Sequence, residues 1–123
     1  MRPLWNLTLH EQGPREITLA ASVGFALEPA MRGVEVPEGQ GGLERAVERL
    51  VATLCTCQAA GAAALIGGHT GLWVAAIRAV QKRSLTLPEL YCFETRRRQD
   101  ENGRFRFEAE GLLQVAPEPG CGS

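Results

Sequence analysis

The chain has 123 residues, of which 45% are hydrophobic and 22% charged, a composition typical of one soluble globular domain that buries a core. Its 13 basic and 14 acidic residues leave a formal net charge of −1, so no overall basic field favours the binding of long nucleic acid. The longest apolar run, residues 59–68, is about half of the roughly 20 residues that a membrane-spanning helix needs. We therefore expect neither long nucleic acid nor a membrane as a partner.

The first fifteen residues do not resemble a signal peptide, because polar residues such as Asn6, His10 and Glu11 interrupt any apolar segment. We therefore expect a cytoplasmic protein whose four cysteines are free thiols. On a helix, Cys55 and Cys57 would face nearly opposite ways. Structural zinc sites need closely spaced pairs of ligands, so we expect no metal site.

Hydrophobic periodicity in the first half of the chain predicts two strands and two helices. Alternating β-forming residues predict a strand at residues 3–9, and the Gly-Pro break that follows starts a helix over residues 15–23. A short second strand is expected near residues 33–36, before a glycine-rich turn. The clearest helix covers residues 43–58, where apolar residues recur at the spacing of a single buried face.

The second half continues the alternation. Residues 62–66 form an unbroken apolar run that predicts a central parallel strand, buried on both faces. A largely apolar helix is expected over residues 71–83, and a further strand over residues 90–95.

An antiparallel addition is expected at the end. Strand-like segments at residues 104–108 and 111–115 lie close to Asn102-Gly103, and Asn-Gly is a strong hairpin signal. Proline and glycine in residues 116–123 predict a disordered tail, so residues 1–115 would form a single domain. The pattern predicts a small α/β fold, with a mostly parallel sheet, helices on both faces and a C-terminal β-hairpin.

Ligands of open α/β sheets bind beyond the carboxyl ends of the parallel strands, and this rule selects three loops. The first follows the opening strand, on which Asn6, Thr8 and His10 would share one face because side chains alternate. Three polar residues on one face of a central strand are hard to bury without partners. That face either reaches a polar pocket or belongs to an edge strand with one wet side.

The second loop is the sequence Gly67-Gly68-His69-Thr70. Its two glycines stand where a backbone turns sharply or approaches a ligand closely. Thr70 is a natural N-cap, and the exposed amides that begin the next helix favour an anion. The alternative is an ordinary tight turn with a capping threonine. The loop matches neither the dinucleotide fingerprint nor the phosphate loop, so no nucleotide cofactor is indicated.

The third loop begins with Thr95, Arg96, Arg97 and Arg98. Eight of the 13 basic residues lie between positions 78 and 106, and arginine forks suit phosphate oxygens. The alternative is a solvated charge run at the end of a strand. Histidines, helix-start amides and arginines at one edge of a sheet favour a phosphodiester ligand.

These features resemble a family of small CRISPR-associated proteins. The resemblance rests on the opening strand with Asn6, Thr8 and His10, the Gly-Gly-x-Thr turn, the strand ending in Thr95-Arg96 and the aromatic terminal hairpin. Members consist of a single CARF-like (CRISPR-associated Rossmann) domain, which implies a Rossmann-like fold. The resemblance further implies a ring nuclease that cleaves cyclic oligoadenylate, with cyclic tetra-adenylate as the expected ring, and so switches off type III CRISPR signalling in antiviral defence.

The implied chemistry needs no metal and no cofactor, because the ribose 2′-hydroxyl beside each phosphate is the nucleophile and the protein positions it. The catalytic candidates are His69 or His10 as acid and base, and Arg97 as the residue that stabilises the developing charge. The candidate ligand-binding residues surround them: Asn6, Thr8, Gly67, Gly68, Thr70, Thr95, Arg96 and Arg98.

A ring of identical units has its own symmetry, so we expect a homodimer with the ligand across its interface. Two alternatives remain open. One is a non-catalytic module that senses or sequesters a cyclic nucleotide. The other is a structural protein whose basic hairpin docks on RNA or on a partner.

Overall fold

Helices and strands alternate along the chain in a computed structural model that describes residues 1–117. Five strands and three helices occur within these residues: β1 (Arg2–Asn6), α1 (Pro14–Ser22), β2 (Phe25–Leu27), α2 (Gly42–Ala59), β3 (Ala63–Leu65), α3 (Thr70–Lys82), β4 (Leu90–Gln99) and β5 (Phe105–Ala116). The strands form one sheet in the order β2-β1-β3-β4-β5. The pairs among the first four strands are parallel, and β5 runs antiparallel to β4.

Helices cover both faces of this sheet. α2 and α3 pack on one face, where Leu50, Leu54 and Val80 are almost completely buried. α1 packs on the other face against Leu4 and Leu65. The expected α/β class is therefore confirmed, with a mostly parallel sheet, an antiparallel C-terminal hairpin and an arrangement consistent with a Rossmann-like fold. No helix within residues 1–117 is long and apolar enough to cross a membrane.

The second strand does not lie where the sequence predicted it. The expected strand at residues 33–36 is wrong, because β2 follows α1 directly at Phe25–Leu27. Gly33 instead lies in irregular backbone, where its N–H donates to the carbonyl of Thr8 at 3.1 Å. A Cβ atom at Gly33 would lie 2.5 Å from that carbonyl oxygen, so this glycine permits a close backbone approach.

Strand ends differ as well. β1 stops at Asn6 rather than at residue 9, and β4 continues to Gln99 rather than ending at residue 95. The two segments expected at 104–108 and 111–115 form one strand, β5. Its pairing with β4 shifts register between Glu94 and Thr95 of β4. Of the tail expected at 116–123, Ala116 belongs to β5, and residues 118–123 lie outside the described part of the chain.

The helix predicted at 43–58 is confirmed, and it buries one of its two cysteines. Cys57 is 0% exposed, whereas Cys55 is partly exposed. The Sγ atom of Cys57 lies 3.4 Å from the carbonyl oxygen of Ala62. Burial raises the pKa of the Cys57 thiol to about 11, which disfavours the nucleophilic thiolate.

We predict that Cys57 does not react with a thiol reagent such as Ellman's reagent at pH 8 while the protein is folded. Wild type and Cys57→Ala should then show the same number of rapidly reacting thiols, because the thiol that differs is buried and protonated. In denaturant the wild type should show one more reactive thiol than the variant. A difference of one thiol already present in the native proteins would contradict this packing of α2.

Candidate functional site

The carboxyl end of β1 is fixed by a buried amide. Asn6 is 0% exposed, and its Nδ2 atom donates to the carbonyls of His10 at 2.8 Å and Pro29 at 3.1 Å. Its Oδ1 atom accepts from the backbone N–H of Thr8 at 3.1 Å and from the Thr8 hydroxyl at 2.6 Å. The amide thus satisfies both donors and both acceptor positions inside the protein.

The β1 loop (residues 7–13) is built on this amide. The Thr8 hydroxyl, itself buried, accepts from the backbone N–H of His10 at 3.1 Å and from the Gln12 side chain at 3.2 Å. The backbone of His10 is therefore held on both its N–H and its carbonyl, while the residue is exposed to solvent. The edge-strand interpretation of Asn6 and Thr8 is wrong, because β1 lies between β2 and β3 in the sheet. The two buried side chains are instead hydrogen-bonded to each other.

Glycines bring the β3 loop (residues 66–69) against the β1 loop. A Cβ atom at Gly67 would lie 3.4 Å from the methyl carbon of Thr8, so the two loops approach each other closely here. The carbonyl of Gly67 accepts from the indole N–H of Trp73 at 3.1 Å, which ties the β3 loop to α3. Gly68 has φ +99°, a conformation that favours glycine. The structure thus brings two of the three expected loops together.

The start of α3 is capped by histidine and not by the expected threonine. The Nδ1 atom of His69 accepts from the backbone N–H of Leu72 at 3.0 Å, which makes His69 the N-cap. Thr70 is the first residue of the helix. A neutral imidazole that accepts at Nδ1 carries its hydrogen on Nε2. The capping bond therefore leaves Nε2 as a hydrogen-bond donor on an exposed side chain.

Gly71, two residues after the cap, leaves room for this ring. A Cβ atom at Gly71 would approach Cε1 of His69 to 3.0 Å, so a larger residue there would press on the ring. The first N–H groups of a helix have no acceptor within it. The amide of Leu72 already donates to the cap, which leaves those of Thr70 and Gly71 for an anion.

Arg96 and Arg98 are engaged with carboxylates on the neighbouring strand. The Nε atom of Arg96 lies 3.2 Å from Oε1 of Glu110. Arg98 reaches Glu108 through Nε at 3.1 Å and Glu110 through a terminal nitrogen at 3.1 Å. All of these groups are partly solvent-exposed, so each pair stabilises little, but the positive charge is partly neutralised.

Arg97 points to the opposite face of β4, because side chains alternate along a strand. Its guanidinium carbon lies 3.7 Å from the ring centroid of Phe105, a cation–π contact. The guanidinium groups of Arg96 and Arg98 therefore lie on one face of β4 and that of Arg97 on the other. Thr95 is exposed beside them.

Two cavities adjoin the expected site residues and share no lining residue. An apolar cavity of about 300 Å³ lies between α3 and β5 and includes Gly67, Gly68, Thr70 and Trp73 in its lining. A polar depression of about 580 Å³ is lined by Glu94, Thr95, Arg96, Arg97 and Glu110. Neither is lined by His10 or His69, so neither of these two cavities joins the arginines to the histidines.

Another cation, Arg32, lies beside the carboxyl end of β1. Its backbone N–H donates to the carbonyl of Asn6 at 2.7 Å. Its side chain pairs with Glu28 at 2.8 Å and stacks on the ring of Trp5 at 4.2 Å. Sequence reasoning missed this arginine because it placed the second strand after position 32. The four-residue spacing of Glu28 and Arg32 could not have found it, because that spacing brings side chains together on a helix and residues 28–32 are not helical.

Within residues 1–117, no group of three or more histidine, cysteine or acidic side chains is placed to hold a metal ion. Comparison with known proteins finds no family model, no curated protein and no solved structure that matches this chain.

We predict that Asn6→Ala lowers the free energy of unfolding by about 2–4 kcal/mol, because it leaves buried backbone groups without partners. Urea denaturation monitored by circular dichroism measures this change. Gln12→Ala is the matched control, since its amide contacts the same loop from the partly exposed side, and it should cost less than about 1 kcal/mol. Equal losses for the two variants would contradict the role assigned to Asn6.

Proposed function

We propose that this protein binds a cyclic oligoadenylate at the carboxyl edge of β1 and β3 and cleaves the ring without a metal. The observation that carries the proposal is the parallel pairing of β1 with β3, in which Asn6 lies beside Leu65, because the loops that bear His10 and His69 then leave adjacent strand ends. The edge is where ligands of open parallel sheets bind. Both histidines are exposed there and can reach a ligand.

The ligand supplies its own nucleophile. As the ribose 2′-oxygen bonds to the adjacent phosphorus, the hydroxyl proton passes to a base, the bond from phosphorus to the 5′-oxygen breaks and that oxygen takes up a proton. The product is a linear oligoadenylate with a 2′,3′-cyclic phosphate at one end and a 5′-hydroxyl at the other. The protein must hold the hydroxyl in line and transfer the protons, which positioning and acid–base catalysis accomplish.

The capping bond of His69 suggests how the two histidines divide this work. Because Nδ1 of His69 accepts from Leu72, its Nε2–H is suited to donate to a phosphate oxygen, beside the free amides of Thr70 and Gly71. His10 has its backbone fixed by Asn6 and Thr8, and its ring is left for proton transfer. We assign His10 the proton-transfer role and His69 the stabilisation of charge on the phosphate.

The arginines enter this proposal as contacts for the outer phosphates of the ring. Arg96 and Arg98 would exchange a carboxylate partner for a phosphate oxygen, which suits the guanidinium fork, and Arg97 would stabilise charge if the ring reaches the aromatic face of β4. Arg32 is nearer to the β1 loop and is the first additional cation to test. A homodimer would let two such edges enclose a symmetric ring, and the reaction would end type III CRISPR signalling in the cytoplasm.

A non-catalytic module that senses or sequesters the same ligand is the second candidate. It is favoured by the structural use of His69 as an N-cap and by the pairing of Arg96 and Arg98 with glutamates. Incubation of cyclic tetra-adenylate with excess protein, followed by chromatography, distinguishes the nuclease from the non-catalytic module. An intact ring after long incubation, with binding demonstrated, supports the module and rejects the nuclease.

For the nuclease we predict that His10→Ala and His69→Ala each slow cleavage of cyclic tetra-adenylate by roughly 100-fold, with only a modest loss of binding. His69→Asn is the matched control for folding, because asparagine is a good N-cap and retains the start of α3. It should preserve the wild-type melting temperature yet cleave as slowly as His69→Ala. Wild-type turnover by His69→Asn would show that the imidazole contributes only its capping bond.

A further inference from the structure

The hairpin of β4 and β5 projects beyond the carboxyl edge of the parallel strands. β3 ends at Leu65, which lies beside Tyr91 of β4, whereas β4 continues to Gln99 with β5 as its partner. Residues 95–99 and 105–109 form the outer part of this hairpin, a ribbon two strands wide. Residues 95–99 and 105–107 of the ribbon are exposed to solvent.

The base of the ribbon is anchored by α1. The Nε atom of Arg15 donates to the carbonyl of Ala109 at 2.6 Å, and Ala109 is buried. Arg15 lies in the first turn of α1, which follows the β1 loop with its exposed His10. The ribbon therefore stands at a fixed position beside the candidate site, and it is the outer part of the ribbon, not its base, that is open to a partner.

One face of the ribbon combines two exposed phenylalanines with a single charge. Alternation along the paired strands gives this aromatic face six residues: Thr95, Arg97, Gln99, Phe105, Phe107 and Ala109. Among these six, Arg97 is the only charged residue. Phe105 is 54% exposed and Phe107 is 73% exposed. Neighbouring aromatic rings left in water indicate a surface that binds a partner.

The opposite face of the ribbon satisfies its own charges. Arg96 lies 3.2 Å from Glu110, Arg98 contacts both Glu108 and Glu110, and Arg106 lies 2.8 Å from Glu108. A phosphate on this face must compete with two carboxylates for the arginines. The face with most of the arginines is therefore not the one best suited to an anionic partner.

The chemistry of the aromatic face favours an unpaired oligonucleotide. The partner of Arg97 is the ring of Phe105, 3.7 Å from its guanidinium carbon, so the charge of Arg97 is left for a phosphate. Unpaired bases stack both on aromatic rings and on guanidinium planes. A purely apolar partner would bury the charge of Arg97 without compensation, whereas a chain of bases and phosphates satisfies both the rings and the charge.

We propose that the aromatic face of the ribbon binds a single-stranded oligonucleotide by stacking. One base lies on Phe107, and the next lies on the guanidinium plane that Arg97 holds against Phe105, with an N–H of Arg97 directed at a phosphate. Stacking of this kind tolerates any base sequence, because every base has a π face. A linear RNA strand and a cyclic oligoadenylate both present this chemistry, and the proposal does not depend on cleavage of the ring.

Substitution of Phe107 separates stacking from general hydrophobic contact. Fluorescein-labelled linear hexa-adenylate RNA is titrated with protein, and binding is followed by fluorescence anisotropy. We expect the wild type to bind with a dissociation constant below roughly 1 mM. Phe107→Leu, which stays apolar but loses the ring, should weaken binding by roughly 10-fold, and Phe107→Trp should retain it. Leu113→Ala is the matched control, since Leu113 is an exposed apolar residue of the same strand and should leave binding unchanged.

Arg97→Lys and the salt dependence test the charge. Arg97→Lys keeps the charge but removes the plane, so affinity should fall roughly 5-fold. With one phosphate contact, an increase from 50 to 200 mM salt should weaken wild-type binding only about 3-fold. A strand held by the three arginines of the opposite face would lose more than about 10-fold over the same range, and this result would overturn the proposal.

Competition with unlabelled cyclic tetra-adenylate identifies the source of the bases. Displacement of the labelled strand shows that the ring also stacks on the aromatic face, and lack of displacement shows that this face serves linear strands. Two further results overturn the proposal: hexa-adenylate that does not bind the wild type, and Phe107→Leu that binds it as tightly as the wild type. Binding of hexa-adenylate through Phe107 by a protein that leaves the ring intact would reject the nuclease alone.

Discussion

A central parallel strand that ends in a polar side chain must satisfy that side chain inside the protein, and Asn6 meets this constraint with four hydrogen bonds. The bonds fold the chain back onto itself and bring the methyl group of Thr8 near Gly67. The loops after β1 and β3 consequently form one surface. The position of His10 and its distance from the start of α3 both depend on this buried amide.

The elements with a long one-sided apolar pattern were predictable, because burial of one face dictates their periodicity. α2 and α3 were found within a residue or two for that reason. β2 has three residues, too few to carry a period, so a later valine-containing segment was preferred to it. The sequence did mark Asn6 and Thr8 as anomalous on a central strand, but it could not show that they bond to each other, which depends on how the chain turns after position 6.

The candidate site was predictable as a set of loops and not as a set of partners. Capping preferences favoured Thr70, yet the ring of His69 takes that role, and this decides which of its nitrogens faces a ligand. The carboxylates that engage Arg96 and Arg98 come from β5. That pairing follows from the register shift near Glu94, a long-range outcome that local sequence patterns do not encode.

The most direct test of the account asks whether the loops after β1 and β3 form one ligand site. Cyclic tetra-adenylate is titrated into isotope-labelled protein, and the backbone amide chemical shifts are followed by nuclear magnetic resonance. The account predicts that the largest shifts occur together at His10, Gly67, Gly68 and Thr70, with one common dissociation constant. Saturable binding that shifts amides only elsewhere, or no shift at all, would contradict it.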